Sequence, residues 1–194
     1  MLKDTGGKLF VGQRVGAGEQ LADVFRGVEV TEAVMNSSDD RSGRVEERTV
    51  ELLGVAPGTV RLLAVAVRDG AQPMLDAWID AWVNSNKGGG DCPVVIELSV
   101  VDSFVMRLAP FRRMLYSKSG VGVRVGVGVG GRQVFMFTNS VGYDWVMGTF
   151  DNRLVGYVYL LDRRGRVRWH GCGFPERDEV DLLIKETERV MREA

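Results

Sequence analysis

The sequence predicts an α/β fold, a mixed β-sheet with helices on both faces, preceded by an extended N-terminal arm. Three observations predict it. Continuous apolar runs of strand length alternate with longer stretches of helical period. From Thr59 onward the order is strand, helix, strand, helix, strand, strand, helix, and strand–helix–strand units of this length imply parallel neighbours joined by a right-handed crossover. The segment GYVYLLDRRGRVRW, residues 156–169, runs apolar, turns on a charged tetrad and runs back, so its strands must be antiparallel.

Residues 1–58 form the arm. They are rich in Gly, Ser and charge, with apolar residues in short pieces, a strand or short helix near LADVF and a loop at Asn36–Gly43. Residues 59–194 form the domain. VRLLAVAV, residues 60–67, is long enough for a strand buried on both faces. Met74, Leu75, Trp78, Ile79, Trp82 and Val83 then recur at helical spacing, with Asp69 or Gly70 as N-cap and Pro73 in the first turn. After the loop KGGGDCP, VVIELSV (94–100) is a second buried strand. A second helix spans 102–118, capped by Asp102 and kinked by Pro110. GVGVRVGVGVGGRQVFMF supplies two strands, or one with a bend at Gly130-Gly131. A connection around 143–154 leads to the hairpin. The last helix begins near Pro175, with acidic residues early and Val180, Leu183, Ile184, Thr187 and Val190 on one face. Parallel units plus a terminal hairpin make a sheet of four or five strands, the plan of a thioredoxin-like domain.

Composition excludes several classes. Hydrophobic residues make up 45% and charged residues 26% of 194, enough to bury a core. A net charge of −1 argues against a generally basic nucleic-acid binder. No apolar run reaches the roughly 18 residues of a membrane span. MLKDTGGKLF is neither a signal peptide nor an Arg-rich transit sequence. Cys92 and Cys172 form no CxxC and there is one histidine, so a zinc quartet would need carboxylates; two buried thiols in a reducing compartment are the simpler reading. No cofactor or metal ligand is assigned.

DNRLVGYVYLLDRRGRVRWHGCG followed by an acidic helix resembles the C-terminal signature of the mitochondrial ATP synthase assembly factors that chaperone subunit a of the membrane sector. Asn152, Gly156, Tyr157, Asp162, Arg168 and Trp169 stand at the places of that pattern, and AWIDAWV and the Gly-Lys-Leu-Phe start are more weakly similar. The resemblance implies a thioredoxin-like fold without redox activity, a protein client, and a location on the matrix side of the mitochondrial inner membrane. It assigns structural roles to Asn152, Gly156, Tyr157, Asp162 and Trp169.

The other motifs are read against their plainest explanations. A thioredoxin dithiol would lie between the first strand and first helix, where VRDGAQPML has no cysteine, and the proline expected before the hairpin is missing from NRLVGY. His170 and Cys172 share a strand face but have no orienting third group. Gly126 to Gly131 satisfies G-x-G-x-x-G, yet a strand follows instead of the helix that a dinucleotide needs. Asp144, Asp151 and Asp162 make no carboxylate dyad, and Asp162 closes the hairpin turn. Tyr157 and Tyr159 share a face.

Two surfaces are candidates for a partner. Gly126, Gly128 and Gly130 leave one strand face nearly bare, so a neighbouring backbone could approach it closely. Arg163, Arg164, Arg166, Arg168 and His170 cluster on the hairpin. With Val167 and Trp169 facing one way, Arg166, Arg168 and His170 face the other, towards an acidic protein, a lipid headgroup or RNA phosphate. The absence of interleaved aromatics weakens the RNA reading. These surfaces suit non-catalytic protein binding, and the function that the resemblance implies is assembly of the ATP synthase membrane sector through subunit a, at the membrane but without a transmembrane span. The alternatives are a subunit or assembly factor of another large mitochondrial complex, such as a mitoribosomal precursor, and thirdly a thiol or peroxide oxidoreductase.

Overall fold

The computed structural model describes residues 12–14, 25, 28–35, 45–67, 69–86, 94–100, 133–138, 150 and 152–193. Three strands come from the N-terminal part: β1 (Gln13–Arg14), β2 (Glu29–Met35) and β3 (Val45–Glu51). Then follow β4 (Arg61–Ala66), α1 (Gln72–Ser85), β5 (Val94–Val100), β6 (Gln133–Thr138), β7 (Tyr157–Leu161), β8 (Val167–Cys172) and α2 (Arg177–Arg192).

Among the described residues the strands make one sheet in the order β1-β8-β7-β4-β5-β6-β2-β3. β4, β5 and β6 are mutually parallel, and β7 is antiparallel to β4 and to β8. The run β5-β4-β7-β8, with a helix after β4 and another after β8, is the thioredoxin-like arrangement. The sheet exceeds the expected four or five strands because β1 extends it beyond β8, and the β2–β3 pair extends it beyond β6. EVTEAVM and VEERTVE carry too many charges to announce strands by apolar alternation.

Alternation along the inner strands builds two cores. Leu62, Ala64, Ala66, Val95, Val158 and Leu160 meet Leu75, Trp78, Ile79 and Trp82 of α1 and Leu183 and Val190 of α2. Leu63, Val65, Ile96, Leu98, Tyr157, Tyr159 and Leu161 line the opposite face with Phe25, Val28, Leu52 and Val55. Tyr157 and Tyr159 thus share a face as expected. Every residue of β4 and β7 is buried, which is why both segments are continuously apolar apart from Arg61. Each Leu or Val so enclosed contributes about 1.5–3 kcal/mol of burial free energy.

Both described helices lie on one face. The predicted helix at 102–118 with its Pro110 kink, the Val/Gly stretch 120–132 and most of the 143–154 connection lie outside the described residues, as does the expected loop at Asn36–Gly43. Two local expectations are corrected. α1 is not capped by Asp69 or Gly70, which form a 3₁₀ turn with Ala71; Ala71 is the N-cap, and Pro73 lies at the helix start, where a missing N–H costs nothing. Val167 and Trp169 do not face the same way. Leu160 pairs with Trp169 but Leu161 pairs with Val167, so Arg168 is a bulge residue and the alternation inverts across it. Val167 enters one core and Trp169 the other.

Candidate partner-binding surface

Asp162 organises the hairpin turn. Its carbonyl accepts from the Gly165 N–H at 2.9 Å, and its own N–H donates to the Arg166 carbonyl at 2.9 Å. Gly165 has φ +80°, the left-handed conformation that glycine tolerates without strain. The Asp162 side chain is buried, yet Oδ1 accepts from the Arg164 and Arg166 N–H groups, each at 2.9 Å. Oδ2 accepts from Arg166 Nε at 2.8 Å and Arg168 Nη1 at 3.3 Å. Burial pushes the carboxyl pKa up, but the hydrogen bonds and charge of Arg166 and the Arg164 N–H outweigh it and hold the group below its ordinary range.

The arginines of the hairpin have separate fates. Arg168 is buried and also donates to Glu193, at 2.8 and 3.3 Å, tying β8 to the end of α2. Its hydrogen bond to Glu193 raises the Arg168 pKa and lowers that of the carboxylate. Arg189 continues the chain of charge to Glu186 and Glu193. Arg61 lies under the turn, donating to the carbonyls of Leu53 and Val55 at 2.8 Å each and to that of Asp162 at 3.5 Å. Burial lowers the Arg61 pKa, and the Asp162 charge opposes that shift. Arg164 is exposed, while Arg163 and Arg166 are half-buried. His170 stacks on Tyr159 with ring centroids 6.4 Å apart.

At the other end of the sheet, Asn152 folds the chain ahead of β7. Its Oδ1 accepts from the Leu154 N–H at 2.9 Å, an Asx turn. The Tyr157 hydroxyl accepts from the Asn152 N–H at 3.0 Å and donates to its carbonyl at 3.1 Å. Gly156 lies against the start of α1: a Cβ there would stand 2.7 Å from Leu75 Cδ2 and 3.2 Å from the Ala71 carbonyl. The Gly156 carbonyl accepts from the Gly173 N–H at 3.0 Å, and the Gly173 carbonyl accepts from Trp78 Nε1 at 2.8 Å. The β4–α1 junction, where a dithiol would sit, is thus covered by the segment before β7, and its residues 67–72 include no cysteine. Cys172 is wholly buried in the core on the opposite face from α1, and Cys92 lies outside the described residues.

Trp169 locks these parts together. It packs edge-on against Trp78 at 5.2 Å, and Cβ atoms at Gly12 or Gly171 would collide with its ring. The buried Glu179 accepts from the Gly12 N–H with one oxygen and from the Glu176 N–H at 2.9 Å with the other. One carboxylate therefore caps α2 and fixes the chain leading into β1.

The structure thus gathers Asp162, Arg166 and Arg168 into one ionic cluster, and Asn152, Gly156 and Tyr157 into a loop support. It presents Arg164 outward. Gly126, Gly128 and Gly130 lie outside the described residues. Sequence reasoning missed Arg61, Glu179, Glu186 and Glu193. A signal existed for Glu179, since Glu-x-x-Glu at Glu176 marks a capped helix start. Arg61 was visible as the lone charge in an apolar run.

The fold and this surface define a thioredoxin-like domain with a turn and helix braced by buried ion pairs. Residues 149–190, the hairpin and α2, match the family model of the ATP10 protein. That match bears out the resemblance to the ATP synthase assembly factors. Among solved structures, the chain is similar to a thioredoxin-like protein from Porphyromonas gingivalis at 15% identity, covering 86% of this chain and 92% of that one, with a TM-score of 0.48. It is also similar to a DsbF homologue from Corynebacterium diphtheriae at 11% identity, covering 93% of each chain, with a TM-score of 0.48. No curated protein sequence matches the chain.

Proposed function

We propose that this protein is a non-catalytic assembly factor that binds a protein client, and that the client is subunit a of the ATP synthase membrane sector, met on the matrix side of the mitochondrial inner membrane. One observation carries the reading: the family match covers residues 149–190, the module in which Asn152, Gly156, Tyr157, Asp162 and Trp169 all perform structural work. A protein that acts by its surface needs such a module held rigid. In this reading residues 1–58 serve as an arm to the domain of residues 59–194, and its described strands β1, β2 and β3 extend the sheet at both margins. Among the described residues no helix is long and apolar enough to cross a membrane.

Pairing of Arg166 and Arg168 with Asp162 and Glu193 favours a protein client over RNA, because those guanidiniums already hold carboxylates. Tagged protein recovered from mitochondria is expected to carry subunit a. Recovery of ribosomal proteins and RNA with no membrane-sector subunit would sink this reading.

A further inference from the structure

We propose that the sheet end opposite the arginine turn is the client-docking surface, and that it takes a polypeptide segment combining apolar side chains with lysine or arginine. The inference rests on the assembly-factor reading for the client and adds the place and chemistry of contact. Among the described residues the exposed large hydrophobic side chains are Leu154 (67%), Phe174 (46%) and Leu182 (47%). A single exposed leucine is ordinary, but all three fall within the module matched by the family model.

Topology brings two of them together. The Gly173–Gly156 hydrogen bond joins the end of β8 to the start of β7. Leu154 stands two residues before that bonded pair, and Phe174 one residue after it. Leu182 lies on the outer side of α2 with Asp178 and Asp181, all exposed, at the i, i+3, i+4 spacing of one helix face.

Charge selects the occupant. Around Phe174 and Leu182 the exposed Glu176, Asp178 and Asp181 outnumber the exposed Arg177 and Lys185 by one, whereas the far turn carries Arg163, Arg164 and Arg166. Acidic groups beside apolar ones attract a basic apolar segment and repel phosphate or anionic headgroups. The backbone beneath is fixed by the Asn152 turn, the Trp78–Gly173 bond and the Glu179 cap. Little ordering cost therefore falls on this side when a segment binds.

The test uses the full chain and two labelled peptides of about 14 residues, one alternating Leu with Lys and one Leu with Glu, followed by fluorescence anisotropy. The Leu/Lys peptide should bind at least about tenfold more tightly than the Leu/Glu peptide. The double variants Leu154→Ser/Phe174→Ser and Asp178→Lys/Asp181→Lys should each weaken it about tenfold or more. Thermal melting of the serine variant should stay unchanged, because its side chains are exposed, and the lysine variant should stay folded with a slightly lower melting temperature, because it places a cation in the first turn of α2. Arg164→Glu should leave peptide binding intact. Equal affinity for both peptides, or wild-type binding by both double variants, overturns the proposal. So does sedimentation with anionic vesicles that the serine variant abolishes, which would assign the patch to lipid. In mitochondria, the serine variant should lose subunit a; retention would move client docking elsewhere and overturn the inference while sparing the assembly-factor reading. Failure of wild-type protein to recover any membrane-sector subunit would remove that reading, with the peptides still deciding the chemistry of the patch.

Discussion

Asp162 keeps its charge although it is buried, because two backbone N–H groups and two guanidiniums point at it. Its pKa in the folded chain lies below the ordinary value of about 3.9 that it regains on unfolding. A depressed carboxylate stabilises the fold at pH above the unfolded value, and that contribution is lost as pH falls through the folded value. Urea midpoints should therefore drop between neutral pH and about pH 3. Asp162→Ala should lower stability at pH 7 by about 1–3 kcal/mol and flatten the acid dependence, since it takes the acceptor from the Arg164 and Arg166 N–H groups while Arg168 keeps Glu193. An equal pH slope in the variant would show that other carboxylates govern the acid limb. Gly156 provides a test without charge. Gly156→Ala sets a methyl 2.7 Å from Leu75 and should cost about 1–3 kcal/mol, read as a lower melting temperature.

At the scale of elements, Glu179 couples a helix start to a strand at the sheet margin. Glu179→Ala leaves two N–H groups without that acceptor, at about 1–3 kcal/mol for each if it stays buried. Hydrogen exchange should quicken at Gly12 and Glu176 while amides of β4 and β5 keep their protection. The central elements were legible from sequence because burial on both faces leaves mainly apolar runs, interrupted only by Arg61 in β4 and by Glu97 and Ser99 in β5, and because α1 repeats its apolar face every turn. The marginal strands were not, since β2 and β3 carry Glu29, Glu32, Glu46, Glu47 and Glu51 and give no apolar alternation. The bulge at Arg168 was also hidden. RVRW, residues 166–169, reads as strict alternation, and only pairing with Leu160 and Leu161 reveals the extra residue. That slip took Arg168 from the expected outer face into a buried bridge to Glu193. Asp162 as the turn residue and Tyr157 and Tyr159 on one face were readable, because both follow from local geometry.

For the whole molecule, the decisive contrast is between a scaffold that recognises and one that exchanges thiols. Thiol exchange needs an accessible thiolate, and its natural place at a helix start is here filled by Val67 to Gln72. Cys172 is 0% exposed and packs on the face away from α1, so any attack through it would require the sheet to open. Replacing it with alanine removes one small buried group and costs about 1 kcal/mol, well below a typical folding stability. A Cys92→Ala/Cys172→Ala protein should therefore fold and, under the proposed assembly role, restore oligomycin-sensitive ATP hydrolysis to mitochondria lacking the protein, with insulin disulfides expected to stay unreduced by it and by the wild type alike. The Leu154→Ser/Phe174→Ser protein, with both cysteines intact, should fold equally well and fail to restore it. The reverse pattern, rescue by the serine variant and failure by a folded cysteine-free chain, would mean that sulfur and not surface carries the function.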